Sequence, residues 1–110
     1  MANVFKNSLS NSVGLTPTTV YTTPAATTST VIGVSVANII STNINVSVQI
    51  TDNSASKTIY LVKDALIVPG SSVVLVGGEQ KVVLEANDYI RVTSSQASSA
   101  DVIVSVLELS

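Results

Sequence analysis

The sequence predicts an all-β protein: an antiparallel β-sandwich, with a jelly roll among the arrangements it allows and an extended arm at its N-terminus. Three observations carry this. Ile44, Val46, Val48 and Ile50 alternate with Asn45, Ser47, Gln49 and Thr51, and a period of two is that of a half-buried strand. Turn-forming residues, Asp52-Asn53, Pro69-Gly70, Gly77-Gly78 and Asn87-Asp88, recur between short apolar runs, which is the rhythm of a sandwich. No stretch makes a convincing helix, and Asn and Ser dominate where one might start.

Residues 1–15 read as an N-terminal arm or edge strand, and 16–110 as a single sandwich domain. In the arm, Val4, Phe5 and Leu9 stand in a polar setting. If extended, its first twelve residues would span about 40 Å, enough to reach a neighbouring subunit. Pro17 and Pro24 bracket a short strand at 18–23, because a central strand cannot run through a residue without an amide donor. Residues 24–29 read as a loop. Next come Ile32, Val34 and Val36, alternating with Gly33, Ser35 and Ala37. A polar link, 38–43, joins this run to the strand at 44–51. The two are expected to be neighbouring antiparallel strands whose apolar faces form the centre of the sandwich.

Residues 52–56 are a turn. A strand at 57–62 ends at Lys63-Asp64, and 65–68 leads into the Pro69-Gly70 turn. Strands follow at 72–76 and 81–84 around a Gly77-Gly78 hairpin turn. A turn at 85–88 leads to a strand at 89–93, and a polar loop at 94–100 precedes the last strand, 101–109. That strand is apolar on both sides, with Val102, Val104 and Val106 on one and Ile103, Leu107 and Leu109 on the other. A sandwich strand has one core side, so the second needs a cover. A homo-oligomer, trimer or dimer, is expected on this ground. Val4, Phe5, Leu9, Val102, Val104 and Val106 are the candidate partner contacts.

Hydrophobic residues make up 45% of the 110-residue chain and charged residues 11%, against about 25% charged in ordinary soluble proteins. Ser, Thr and Asn must cover the surface instead. The net charge is −2 and the five basic residues are scattered, so nucleic-acid binding, which needs clustered Lys and Arg, is not expected. Without Cys there is no thiolate chemistry. No apolar run approaches a membrane span, and the first residues lack the pattern of a signal peptide.

The chain has no His. This removes the usual general base, the usual Ser-His arrangement and the usual zinc ligand. The seven carboxylates fall mostly in turns or at strand ends, where a facing catalytic pair is not expected. A calcium loop at 52–56 would need more acidic ligands than Asp52 alone. Gly77-Gly78-Glu79 lacks the remainder of a phosphate-binding motif. No enzymatic activity, metal or cofactor is expected. Tyr21, Tyr60 and Tyr89 could line a sugar-binding face of an adhesion module, or could equally serve packing.

The segments TVYTTPAAT (19–27), VIGVSVAN (31–38), the run from Thr58 to Ser95, and SADVIVSVLEL (99–109) resemble small virion structural proteins of tailed phages, including phages of marine bacteria and cyanobacteria. In such proteins the turn before the 89–93 strand often reads Ala-Gly-Asp. Asn87 takes the Gly position here, which is tolerable because Asn visits the left-handed region. The resemblance implies a non-enzymatic virion component, first a capsid decoration or cement protein bound over junctions between major capsid protein subunits. A neck, tail or fibre component is the alternative. It also implies a place on the virion, at the capsid surface, after assembly in the host cytoplasm.

Overall fold

Among the residues described by the computed structural model, 3–76 and 81–110, every regular element is a β-strand. They are β1 (Asn3–Val13), β2 (Thr18–Thr22), β3 (Thr28–Asn38), β4 (Ile44–Asp52), β5 (Lys57–Ile67), β6 (Ser72–Val76), β7 (Val82–Leu84), β8 (Tyr89–Ser94) and β9 (Ala100–Leu109). One sheet has the order β1-β9-β3-β6, with β7 sharing β3's far edge, and the other has the order β2-β8-β4-β5. Every pairing is antiparallel. Apart from the β4–β5 hairpin and the β6–β7 pair, each strand passes to the opposite sheet from the one before it. The expected hairpin turn at Gly77-Gly78 lies outside the described residues.

The core is almost wholly β-branched. Val31, Val34, Val36, Val104 and Val106 from the first sheet meet Ile44, Val46, Val48, Ile90 and Val92 from the second, all essentially inaccessible to water. Val and Ile are stiff at χ1 and favour the pleated backbone, so they fill the interlayer space at little entropic cost. Ile67, paired with Ile44, and Leu84, paired with Ser29, complete the filling toward the two ends of the sandwich.

The structure corrects the expected pairing of the organising runs. β3 and β4 lie in opposite sheets and face each other across the core. The link between them crosses the sandwich because Asn38 turns it. Its Oδ1 accepts from the Ile40 amide at 2.9 Å, and its Nδ2 donates to Thr42 O and Ile67 O at 2.8 and 2.9 Å. A period of two tells which side of a strand is buried, not which strand lies beside it.

Three further differences follow from bulges and turn chemistry. A register shift between Val31 and Gly33 against β9 makes Val31, rather than Ile32, the core residue, since one inserted residue flips the following side chains. β5 does not stop at Lys63-Asp64. Asp64 takes φ +55°, its amide donates to Ser47 Oγ at 3.0 Å and its carbonyl accepts from Asn45 Nδ2 at 3.2 Å, and the strand resumes to Ile67. β3 begins at Thr28 because Ala26 (φ +57°) completes the preceding turn.

Other turns match the residues that make them. Gly70 has φ +75° and Asn87 φ +68°, as a left-handed position asks of Gly and Asn. Gly14 is needed for room: a Cβ there would lie 2.9 Å from the Ser98 amide nitrogen. That close approach lets Gly14 O accept from the Ser94 amide at 2.9 Å, while Val13 O accepts from the Ser99 amide at 3.0 Å.

Candidate functional site

The outer faces of the two sheets have different chemistry. On the first sheet, register carries two rows from edge to edge. One runs Leu9, Ile103, Ser35, Val74, and the other Phe5, Leu107, Thr30, Val83. Phe5 is 73% exposed, Leu9 70%, Val74 67% and Val83 61%. Ile32, turned outward by the bulge, adds to the depression between the rows beside Phe5, Asn7 and Ser105. The charged residues on the described strands of this sheet are Lys6, Asp101 and Glu108. Only Asp101 belongs to the outer face, at one end, where it accepts the Ser12 amide at 3.0 Å. Large apolar side chains with almost no charge among them, set between Asn7, Ser35, Ser105 and Thr30, make up this face.

The outer face of the second sheet is more polar, with Leu66, in register with Asn45, its one large exposed aliphatic side chain among the described residues. Its rows read Tyr60, Gln49, Arg91, Thr19 and Thr58, Thr51, Tyr89, Thr22. Thr51 and Thr58 share a hydroxyl bond of 2.9 Å, and Arg91 Nε donates to Thr19 Oγ1 at 3.1 Å. Of the expected tyrosine set, Tyr60 and Tyr89 share this face but each ring already has a cation over it. Lys63 Nζ lies 5.4 Å from the Tyr60 centroid and Arg91 Cζ lies 4.7 Å from that of Tyr89. Tyr21 is turned inward, so the structure does not bring the three together.

Tyr21 belongs instead to a polar cluster at one end of the core. Its hydroxyl donates to Glu108 Oε2 at 2.6 Å and shares a hydrogen bond of 2.6 Å with Ser29 Oγ. Lys6 Nζ lies 3.4 Å from Glu108 Oε1. Four strands, β1, β2, β3 and β9, are thereby tied at one point. Burial, then the bond to Glu108, pushes the Tyr21 phenol up to about 12.

Among the described residues one acidic group, Asp52, Glu85 and Asp88, gathers carboxylate oxygens within 4.8 Å. Hydrogen bonds hold two of the three carboxylates in place. Asp88 accepts the Asn53 amide at 3.0 Å and the Glu85 amide at 2.9 Å. Asp52 accepts the Ala55 amide at 3.0 Å and Ser54 Oγ at 2.9 Å. Those two bonds, the amide first, hold the Asp52 carboxyl below its ordinary value. The cluster braces two adjacent turns.

The structure divides the expected partner contacts. Val102, Val104 and Val106 are 3%, 0% and 1% exposed within their own core and are not available to a partner. The accessible side of β9 is Ile103, Leu107 and Leu109. Residues 3–13 are not a free arm but β1, paired along β9 from Asn3↔Leu109 to Val13↔Ala100. Phe5 and Leu9 lie on the apolar outer face, and Val4 on the other side of β1, in register with Glu108. Val74 and Val83 escape sequence reasoning because SVVLV and VVL do not alternate. Glu108 carried a usable signal: it shares the parity of Val102, Val104 and Val106, which places a carboxylate on the buried side.

No helix among the described residues is long and apolar enough to cross a membrane. No family model and no curated protein matches the chain. Among solved structures, the disulfide-linked pili of Bacillus endospore appendages are similar, with a TM-score of 0.58 and 11% identity over 98% of this chain and 88% of that one. A structure of infectious bursal disease virus, Gt strain, aligns at a TM-score of 0.41 and 7% identity over 98% of this chain and 35% of that one, too loosely to support any argument. At such identity the pilus likeness establishes a shared β-fold and nothing further.

Proposed function

We propose that this protein is a non-enzymatic building block of a repeating protein assembly, and specifically a capsid decoration protein of a tailed phage. It binds the shell through the outer face of its first sheet. The observation that carries the reading is the contrast between that apolar, nearly chargeless face and the more polar face opposite. A two-faced sandwich of this kind presents one side to protein and the other to water. The strand order supports it, since alternation between the two sheets in this order is compatible with a jelly roll. So does the resemblance to phage virion proteins in the quoted segments. Weak single contacts repeated over a shell sum to strong binding. The absence of His and the hydrogen-bonded state of the acidic cluster fit a protein without catalysis.

The second reading is a neck, tail or fibre component. The pilus structure, built on a similar fold, speaks for it. That pilus is disulfide-linked, whereas this chain has no Cys, so its assembly would be held without disulfides. Mass spectrometry of purified particles separates the two. A copy number matching the major capsid subunits supports decoration, a ring-like number supports the neck or tail, and absence from particles overturns both. Val74→Asp and Val83→Asp, at positions 67% and 61% exposed, should cost no more than about 1 kcal/mol of folding stability, while abolishing attachment to undecorated shells.

A further inference from the structure

The sandwich has four edges, and three of them are blunted. β2 is short and lies between Pro17 and Pro24. β5 is broken by the Asp64 bulge and carries Lys57, Lys63 and Asp64. β6 and β7 are short pieces of five and three residues. Such devices keep a strand edge from pairing with another chain. β1 has an irregularity only near its end, between Ser10 and Val13, where Ser12 takes φ +54°. It runs for 11 residues without proline, with Lys6 as its single charge and in unbroken register with β9 from Asn3 to Ser10. Every second residue over that stretch turns its amide and carbonyl away from β9 toward the open edge. Water solvates such a row in the free chain, and another extended backbone matches it group for group.

We propose that β1 pairs antiparallel with β1 of a second copy about a two-fold axis at Asn7, joining two five-stranded sheets into one. The residues select this register. With Asn7 on the axis, Phe5 lies opposite the partner's Leu9, Leu9 opposite the partner's Phe5, and Lys6 opposite the partner's Ser8. Each outer-face row then continues across the junction as Leu107, Phe5, the partner's Leu9 and the partner's Ile103. Moving the axis to Lys6 sets like charges directly opposite each other, which is unfavourable. Moving it to Ser8 sets Phe5 against Asn11 and Leu9 against Asn7. The pairing is isologous, so it closes at two copies. It also makes the apolar face continuous across the dimer. The inference goes beyond the proposed function, because it concerns how two copies join whatever assembly holds them.

The test uses the full chain, free in solution. Sedimentation at micromolar concentration should show a dimer, and a monomer or trimer overturns the proposal. Because the chain has no Cys, single substitutions report the register. Asn7→Cys brings two thiols to about 5 Å across the axis, whereas Asn3→Cys holds its two copies eight residues apart along the strands, roughly 27 Å. A short thiol-to-thiol cross-linker should convert Asn7→Cys to covalent dimer and leave Asn3→Cys and Asn11→Cys monomeric on a denaturing gel. Equal cross-linking at all three positions, or none at Asn7→Cys, overturns it. Asn7→Lys, at an exposed position, should raise the dissociation constant at least tenfold, while Val74→Lys on β6, at the opposite edge of the same sheet, leaves it unchanged. The reverse pattern places the interface on the sheet face and overturns edge pairing. A monomer here would leave the particle-binding experiment untouched, so the two readings fail separately.

Discussion

Replacing Tyr21 by Phe removes one oxygen and leaves the ring. That oxygen donates to Glu108 Oε2 and shares a hydrogen bond with Ser29 Oγ, both at 2.6 Å. A hydrogen bond to a charged group contributes about 1.5–3 kcal/mol, and a buried hydroxyl left without its partner costs roughly 1–3 kcal/mol. Ser29 is fully buried, while Glu108 retains Lys6 at 3.4 Å. The loss for Tyr21→Phe near neutral pH should therefore be about 2–4 kcal/mol, a fall of roughly 10–20 °C in Tm for a domain of this size. The pH dependence has a definite sign. The folded state raises the phenol from 10.0 to about 12, so it holds the proton more tightly than the unfolded chain does. This stabilisation is fully present below pH 10 and is lost as pH rises through about 12. A shift of two units corresponds to about 2.7 kcal/mol, and solvent screening of the half-buried ring reduces this to about 1 kcal/mol. Urea unfolding of wild type and Tyr21→Phe, compared from neutral pH to pH 12, reads both quantities. A gap below about 0.5 kcal/mol at neutral pH, or one that stays constant as the phenol ionises, would refute the reasoning.

Gly14→Ala should lower stability by about 1–3 kcal/mol, because the new methyl meets the Ser98 amide nitrogen at 2.9 Å and backbone must move; thermal melting reads it. Val104→Asp buries an unpaired charge at a fully inaccessible site and should cost on the order of 3–5 kcal/mol, visible as loss of the cooperative denaturation transition or of soluble protein. Asn87→Val forces a β-branched residue to φ +68° and should cost about 1–2 kcal/mol, whereas Asn87→Gly should be neutral or slightly stabilising. Denaturant midpoints of the pair separate backbone strain from loss of the side chain.

Much of the fold was legible where a residue has one physical use. Pro69-Gly70 and Asn87 mark turns because few residues accept φ > 0, and both sit there in the structure. β4 was readable because its apolar and polar residues alternate without a break. Legibility failed where backbone irregularity intervenes. The bulge at Val31/Gly33 exchanges Ile32 for Val31 in the core, and the left-handed Asp64 lets β5 continue where a charged pair suggested an end. Neither device has a sequence signature, since a bulge needs only one extra residue and Ser47 Oγ happens to receive the displaced amide.

The candidate site divides in the same way. That β9 is apolar on both sides, that Phe5 and Leu9 stand in a polar setting, and that charge is scarce were all determined by the sequence alone. Which side of β9 is core was not. Valines on one parity and Ile103, Leu107 and Leu109 on the other are equally good inner faces, and a strand carries no record of which side meets the second sheet. The choice is made by β4 and β8, whose valines and isoleucines face Val102, Val104 and Val106 across the interlayer space. It is made also by β1, which joins β9 from the opposite end of the chain. Only once those distant strands are in place does the remaining side of β9, flanked by Phe5 and Leu9, become the exposed apolar face.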